Sequence, residues 1–237
     1  MNSFIIVVPT YNNFHTIQDV VNDILSYDYK IIVVDDGSST KLSEILEESP
    51  NLTIVRHATN MGKGQAIISG AKKARELGFT HIVTMDGDGQ HLASQAEKLI
   101  KACLKDEIII GSRNFDISNV PNSSKFGRWF SNFWATWDTG HEITDSLSGF
   151  RLYPLSIIEL PIKTSRFDWE MEVIVRHADA GKPIKEVEIE CFYPTSEDRV
   201  SHFRKFWDTA AIVWVHVQIL PIKWVKYIFN LFRFKKS

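Results

Sequence analysis

Two aspartates separated by a single residue carry the clearest chemical signal in this 237-residue sequence. Asp86 and Asp88 lie in the segment Met-Asp-Gly-Asp-Gly-Gln-His at 85–91, directly after a short apolar run typical of a buried strand. Hard divalent cations prefer carboxylate oxygens and accept diphosphate oxygens as further ligands. We therefore predict that Asp86, Asp88 and Gln90 bind Mg²⁺ or Mn²⁺, and that Gly87 lets the backbone approach a nucleotide diphosphate closely.

Two further polar segments also suit a nucleotide. The segment Asp-Asp-Gly-Ser at 35–38 follows another apolar run, and its carboxylates can accept hydrogen bonds from a base or from ribose hydroxyls. The same residues also suit a turn followed by a serine N-cap. The segment Asn-Met-Gly-Lys-Gly at 60–64 precedes a helical pattern, where glycines and a lysine suit a phosphate, although it lacks P-loop spacing. Lys63 could equally be a solvated surface residue.

The elements that must position these residues alternate along the first 110 residues. Apolar runs predict strands at 4–8, 30–34, 52–56, 81–85 and 107–110, and helical stripes lie at 14–26, 40–48, 63–77 and 92–104. This alternation predicts an α/β fold with a mostly parallel sheet flanked by helices. Because such sheets bind ligands beyond the carboxyl ends of their strands, one crevice should collect the polar clusters at 9–13, 35–39, 86–91 and 111–114.

The pattern changes after residue 114. We expect a loop over 115–127, an aromatic helix over 129–137, a strand over 150–153, a helix near 168–180 and a strand near 184–193. No repeat or low-complexity linker interrupts the chain. The sequence therefore predicts one catalytic domain over residues 1–200 and a C-terminal amphipathic helical appendage over residues 201–237.

Six motifs occur in an order that resembles a known family. They are Val-Pro-Thr-Tyr-Asn at 8–12, Val-Val-Asp-Asp-Gly-Ser at 33–38, Asn-x-Gly-Lys-Gly at 60–64, the segment at 85–91, Gly-Ser-Arg at 111–113 and Ser-Gly-Phe-Arg at 148–151. Together they resemble the family 2 glycosyltransferases of GT-A (Rossmann-like) fold, over roughly residues 4–205. The subgroup they resemble most is the dolichol- and polyprenol-phosphate mannosyl- or glucosyltransferases, which implies a UDP- or GDP-sugar donor.

The resemblance implies roles for the matching positions. Donor binding falls to Pro9, Thr10, Tyr11, Asn12, Asp35, Asp36, Lys63, Asp86 and Gly87. Catalytic positions are Asp88, Arg113, Arg128, Asp145, Arg151 and Glu172. Acceptor binding falls to Ser131, Ser148, Arg199 and His202. The sequence departs from the family at Asn13, where glutamate is common.

The acceptor decides whether the reaction needs a base, and the family pattern implies inversion by direct displacement. A lipid phosphate is ionised near pH 7, so cationic positioning by Arg113, Arg128 and Arg199 suffices. A hydroxyl of a saccharide or glycolipid would need a positioned carboxylate. Asp145 and Glu172 keep that alternative open. Each also suits a structural role: Asp145 could pair with Arg151 or belong to a turn, and Glu172 could form a salt bridge.

A third interpretation is an inactive nucleotide-binding scaffold. The complete set of Asp86, Asp88, Gln90 and Arg151 argues against it. The net charge of −2 argues against nucleic acid as a partner.

The C-terminal segment suggests a location. From Arg199 onward there are eight Lys or Arg residues against one acidic residue, and aromatics alternate with basic residues over 221–237. This pattern predicts an interfacial helix on anionic lipid, or a helix packed on the domain or on a second subunit. The sequence offers no apolar run of transmembrane length, no signal peptide and no disulfide framework. We therefore expect a cytoplasmic protein that is peripheral at the inner face of the membrane, and an oligomer where the C-terminal helix packs on a second subunit.

Overall fold

The computed structural model describes residues 2–47, 49–113, 122–191 and 213–217. The strands are β1 Phe4–Thr10, β2 Ile31–Asp35, β3 Leu52–Arg56, β4 His81–Thr84, β5 Ile108–Arg113, β6 Arg151–Pro154 and β7 Ile184–Ile189. The helices are α1 Ile17–Ser26, α2 Lys63–Glu76, α3 Ala96–Ala102, α4 Asn122–Thr139 and α5 Trp169–Asp179. Within these ranges, no helix is long and apolar enough to cross a membrane.

The seven strands form one sheet in the order β3-β2-β1-β4-β6-β5-β7. All pairs are parallel except those of β6, which runs antiparallel to both β4 and β5. Strands β1, β2 and β4 are neighbours, so their carboxyl ends lie side by side at one edge of the sheet. This confirms the predicted mostly parallel sheet flanked by helices.

Helices cover both faces of the sheet, which explains why its central strands β1 and β2 are continuous apolar runs. Successive residues of a strand point to opposite faces. In β1, Ile5 and Val7 join the core beneath α2 and α5, whereas Ile6 and Val8 join the core beneath α1 and α3. Burial of each such side chain contributes about 1.5–3 kcal/mol. Gly70 lets α2 pack closely on β1, because a Cβ there would lie 2.5 Å from Cγ1 of Val7.

Three predicted elements differ from the structure. The helix expected over 40–48 is only a 3₁₀ turn at Leu42–Glu44. Strand β5 continues through Gly-Ser-Arg to Arg113, because β7 pairs with it along its whole length. The segment expected to be a loop before residue 128 instead contributes the first turns of α4, which begins at Asn122.

The predicted C-terminal appendage lies mostly outside the described residues, including the interfacial helix over 221–237. Residues 213–217 are helical and pack against α4. Val215 belongs to the same buried cluster as Ala135 of α4, and Nδ1 of His216 lies 2.5 Å from Oδ2 of Asp138. This short helix is therefore fixed to the catalytic domain.

Candidate active site

The loops after β1 and β2 are joined by hydrogen bonds, so the two polar clusters meet in one crevice as predicted. The amide of Asn12 donates to Oγ of Ser38 at 2.9 Å, and the amide of Ser39 donates to Oδ1 of Asn12 at 2.9 Å. Asn12 has a φ of +47°, a conformation that asparagine adopts more readily than most residues. The hydroxyl of Thr10, at the end of β1, is buried and has no hydrogen-bond partner in the described structure.

The loop that carries the two aspartates is held from α1. The carbonyl oxygen of Gly87 accepts hydrogen bonds from Nδ2 of Asn13 at 2.5 Å and from the hydroxyl of Thr16 at 2.6 Å. The amide of Gln90 donates to Oδ1 of Asp88 at 3.0 Å, which closes the turn. Asn13 therefore positions the aspartate loop, a role that sequence reasoning did not assign to it.

Asp86 lies at the centre of a compact charged cluster, and its side chain remains 29% exposed to the crevice. Nζ of Lys63 is 2.7 Å from Oδ1 of Asp86 and 3.0 Å from Oε1 of Glu170. Gly149 packs against this cluster, since a Cβ added there would lie 2.5 Å from Oδ2 of Asp86 and 2.8 Å from Nζ of Lys63. The cluster joins the loop after β4 to the first turns of α2 and α5.

These contacts keep Asp86 and Lys63 ionised. Burial alone would raise the pKa of the Asp86 carboxyl, but the nearby positive groups, Lys63 foremost, together outweigh burial and the net pKa shift is downward. Burial opposes the charged form of Lys63 as well, yet Asp86 and Glu170 raise the pKa of its ammonium well above the ordinary value. The site therefore presents an ionised carboxylate at neutral pH, as a hard divalent cation requires.

Asp35 and Asp36, predicted to bind the donor, are buried and engaged within the protein. Asp35 pairs with Arg56 and accepts the amide of Ser38 at 2.9 Å. Asp36 accepts Nδ1 of His57 at 2.7 Å and the amides of Met61 and Gly62 at 2.8 Å each. Their clearest contribution is to fix the two loops that border the crevice.

The start of α2 differs from the phosphate-binding segment expected at residues 60–64. A Cβ at Gly62 would lie 2.6 Å from the carbonyl oxygen of Ser165, and one at Gly64 would lie 2.3 Å from Cβ of Trp169. The amide of Gln65 donates to the Ser165 carbonyl at 3.0 Å. The glycines of this motif thus make room for the segment before α5, and Lys63 is the group that reaches the crevice.

Arg113 and Asp145 form a bidentate ion pair beside the aspartate loop. Nε of Arg113 is 2.7 Å from Oδ2 of Asp145, and one terminal nitrogen is 2.9 Å from Oδ1. Glu186 of β7 in turn accepts the amides of Thr144 and Asp145 at 2.9–3.1 Å. The ion-pair partner of Asp145 is therefore Arg113, and the alternative in which Asp145 pairs with Arg151 is wrong.

Arg151 and Ser148 are buried rather than open to the crevice. The guanidinium of Arg151 is 0% exposed and donates to the carbonyl oxygens of Ser146 at 2.6 Å, Ser148 at 2.7 Å and Glu170 at 2.6 Å. The hydroxyl of Ser148 accepts the amide of Phe150 at 3.3 Å. These two predicted site residues fasten the loop before β6 to the start of α5.

Glu172 also faces away from the charged cluster, and its neighbour Glu170 was missed. The carboxylate of Glu172 accepts the amides of Lys163 and Thr164 at 2.9 and 3.0 Å, and Arg176 lies 3.0 Å away. Residues two apart on a helix point about 200° apart, so only one of this pair can face the crevice. Residues 169–175 are all buried, so burial along the helix does not separate Glu170 from Glu172, and only the contact with Lys63 identifies Glu170.

His91 ends the aspartate loop as a packing residue. Its ring stacks on Phe150 with centroids 5.1 Å apart, and Nδ1 lies 3.4 Å from Sγ of Cys191. Burial lowers the pKa of His91 to about 4, so the ring is neutral at physiological pH.

Helix α4 carries two predicted site residues on one side and an aromatic surface on the other. Oγ of Ser131 lies 2.9 Å from Oγ of Ser146, and Arg128 is partly buried three residues earlier. The opposite side of the helix exposes a row of rings spaced four residues apart, with exposures of 62%, 49% and 62%, at Trp129, Phe133 and Trp137. We call this row the aromatic ladder. Arg199 and His202, also predicted to bind the acceptor, lie outside the described residues.

Comparison with known proteins identifies the family of this chain. The sequence profile of glycosyl transferase family 2 matches residues 5–155. A UDP-N-acetylglucosamine–dolichyl-phosphate N-acetylglucosaminyltransferase of Methanococcus voltae is 30% identical over 213 residues, which cover 79% of this chain and 85% of that protein. An undecaprenyl-phosphate mannosyltransferase of Micrococcus luteus is 28% identical over 196 residues, and the alignment covers 77% of this chain and 81% of that protein.

The fold has solved counterparts as well. Glucosyl-3-phosphoglycerate synthase of Mycobacterium tuberculosis, in complex with Mn²⁺, uridine diphosphate and glucosyl-3-phosphoglycerate, aligns with a TM-score of 0.68. The alignment covers 92% of this chain and 80% of that one at 13% identity, which supports the fold alone. The profile match, the relatives and the sheet architecture agree with the family expected from the motifs, and the chain belongs to glycosyl transferase family 2 as a glycosyltransferase of GT-A fold.

Proposed function

We propose that this glycosyltransferase uses a divalent cation to bind a nucleotide diphosphate sugar and transfers the sugar to a lipid phosphate with inversion. The main support for cation-assisted donor binding is the position of Asp86 and Asp88 directly after β4, where the ionised Asp86 faces the crevice. In parallel sheets of this kind, ligands bind beyond the carboxyl ends of the strands.

The donor set fits Mg²⁺ or Mn²⁺. Asp86, Asp88 and Gln90 would supply oxygen ligands, and such cations commonly take one or two carboxylates and complete their coordination with substrate phosphates and water. In the part of the chain that the structure describes, no group of three His, Cys, Asp or Glu side chains is arranged to hold a metal ion. The bound cation would neutralise charge on the departing nucleoside diphosphate.

The nucleoside would lie against the loops after β1 and β2. Asp35 and Asp36 would support this pocket through the contacts that fix its loops, and Pro9, Tyr11 and Asn12 would line its β1 side. The buried hydroxyl of Thr10 is a candidate to bind the donor, since a buried polar group without a partner is costly unless a ligand satisfies it. Lys63 would bind the diphosphate.

The proposal that the acceptor is a lipid phosphate is supported by the partners of two carboxylates. Asp145 is paired with Arg113, and Glu172 with Arg176 and two backbone amides. A hydroxyl acceptor needs a general base, whereas a lipid phosphate is already ionised near pH 7. An acceptor phosphate oxygen would attack the anomeric carbon while the bond to the nucleoside diphosphate breaks, with Arg113, Arg128 and Ser131 positioning the phosphate. The relatives named above carry dolichyl- or undecaprenyl-phosphate in their names.

Acceptor choice tests this proposal. After a thermal-shift screen of UDP- and GDP-sugars with Mn²⁺, we expect the stabilising donor to yield a glycosylated product with a short-chain polyprenyl phosphate. The matching polyprenol, which ends in a hydroxyl, should give at least about 100-fold slower transfer because the two candidate bases, Asp145 and Glu172, are already paired within the protein. Equal rates with the two acceptors, or transfer to the polyprenol alone, would instead support the hydroxyl acceptor.

The aromatic ladder fits a membrane as the source of the acceptor. Tryptophan side chains favour the boundary between water and lipid, and the ladder shares α4 with Arg128 and Ser131. We expect the variant Trp129→Ser/Phe133→Ser/Trp137→Ser to lose most of its sedimentation with anionic vesicles while still binding the soluble donor. Leu104→Ser is the matched control, because Leu104 is 75% exposed elsewhere on the surface. Unchanged sedimentation of the triple variant would exclude the ladder as a membrane contact.

A further inference from the structure

The ammonium of Lys63 lies between two carboxylates, Asp86 and Glu170, at the edge of the crevice. We infer that Lys63 is an internal counter-ion, which competes with the divalent cation for Asp86 and moves to the donor diphosphate when the cation binds. Glu170 is the positioning residue that keeps the ammonium beside the site during this exchange. This inference rests on the proposed metal-assisted donor binding. It adds the order in which Lys63 pairs, first with Asp86 and then with the donor diphosphate.

The contact between Lys63 and Asp86 uses the oxygen that a cation would need. Nζ of Lys63 lies 2.7 Å from Oδ1 of Asp86, whereas Gly149 lies directly against Oδ2. A cation bound by Asp86 would therefore approach the oxygen next to the ammonium. Two positive charges cannot share that position without strong repulsion, so cation binding has to displace the lysine.

Glu170 gives the displaced ammonium a partner that does not move with the cation. Its carboxylate is 3.0 Å from Nζ as an ion pair, and its side chain is only 10% exposed. Its backbone carbonyl is fixed by the buried guanidinium of Arg151 at 2.6 Å. Arg151 therefore sets the position of Glu170 and, through it, the position of Lys63.

The lysine side chain suits such an exchange. It is a flexible stem with a compact charge, and its Nζ also lies 5.6 Å from the centroid of the Phe167 ring. With the cation and a diphosphate present, the ammonium gains a new anionic partner as it leaves Asp86. The negative charge of the diphosphate thereby compensates the positive charge that the cation adds beside Asp86 and Lys63.

The inference predicts opposite effects of two substitutions on binding of Mn²⁺ alone, measured from the electron paramagnetic resonance signal of free Mn²⁺. Lys63→Met should bind Mn²⁺ at least about tenfold more tightly than the native protein, because Asp86 loses its competing cation. Glu170→Gln should bind Mn²⁺ more weakly, because the lysine then has Asp86 as its main carboxylate partner. With saturating Mn²⁺, Lys63→Met should also bind the preferred nucleoside diphosphate, UDP or GDP, more weakly.

Lys73→Met serves as the control, since Lys73 lies on the same helix and pairs with the exposed Glu76. Its Mn²⁺ affinity should equal that of the native protein. Weaker Mn²⁺ binding in both site variants would indicate a merely structural role for Lys63 and overturn the inference. An absence of Mn²⁺ binding in the native protein, or equal binding in Asp88→Asn, would instead reject the proposed metal site itself.

Discussion

Replacing Gly149 by alanine should reduce sugar transfer by about 100-fold or more, because displacement of a reacting centre by about 1 Å can have an effect of this size. The added methyl group would lie 2.5 Å from Oδ2 of Asp86 and 2.8 Å from Nζ of Lys63. Carbon and oxygen cannot approach so closely, so the Asp86 carboxylate or the loop at Gly149 must move. Movement of either would misplace the carboxylate proposed to bind the cation.

The methyl group should harm the site more than the fold. Asp86 is partly exposed at the crevice, so its side chain can shift without opening a cavity in the core. We expect Gly149→Ala to keep a cooperative thermal transition and lose transfer, as measured by product formation with the preferred donor.

Gly127→Ala is the matched control for this experiment. A Cβ at Gly127 in α4 meets nothing within 4 Å, and alanine favours a helix. This control should transfer at the native rate. A Gly149→Ala protein with native transfer would show that the cluster tolerates the methyl group and that Asp86 need not hold its observed position.

Much of the sheet could be predicted because its strands are short, β-branched and buried on both faces. The direction of β6 could not, since a strand-like segment such as 150–153 carries no information about its orientation. The end of β5 was misplaced for a different reason. Gly111, Ser112 and Arg113 have loop-like side chains, and only the pairing of β5 with β7 keeps them extended.

The location of the site was predictable because Asp86 and Asp88 follow β4, whereas the partners of the charged groups were not. Arg151 belongs to a motif that suggests a catalytic arginine, yet it is buried among backbone carbonyls. The contact of Glu170 with Lys63 joins residues more than 100 positions apart, and no local pattern encodes that proximity. Pairings of this kind follow from tertiary packing, which sequence spacing does not reveal.

Asp88→Asn should weaken binding of the donor nucleotide in the presence of Mn²⁺ by at least about 100-fold, since one charged ligand of the cation becomes a neutral amide. The two side chains have nearly the same shape, and the amide oxygen can still accept the hydrogen bond from the Gln90 backbone. The fold and the turn should therefore persist. Loss of nucleotide affinity would then report the cation rather than misfolding, and a thermal transition close to that of the native protein is the control.

The most direct measurement is a calorimetric titration of UDP and of GDP into the native protein with Mn²⁺, into the same protein with EDTA, and into Asp88→Asn with Mn²⁺. We predict that one of the two nucleotides binds the native protein only when the cation is present, and binds Asp88→Asn at least about 100-fold more weakly. Equal nucleotide affinity with Mn²⁺ and with EDTA, or native affinity in Asp88→Asn, would contradict a donor held through a cation at Asp86 and Asp88.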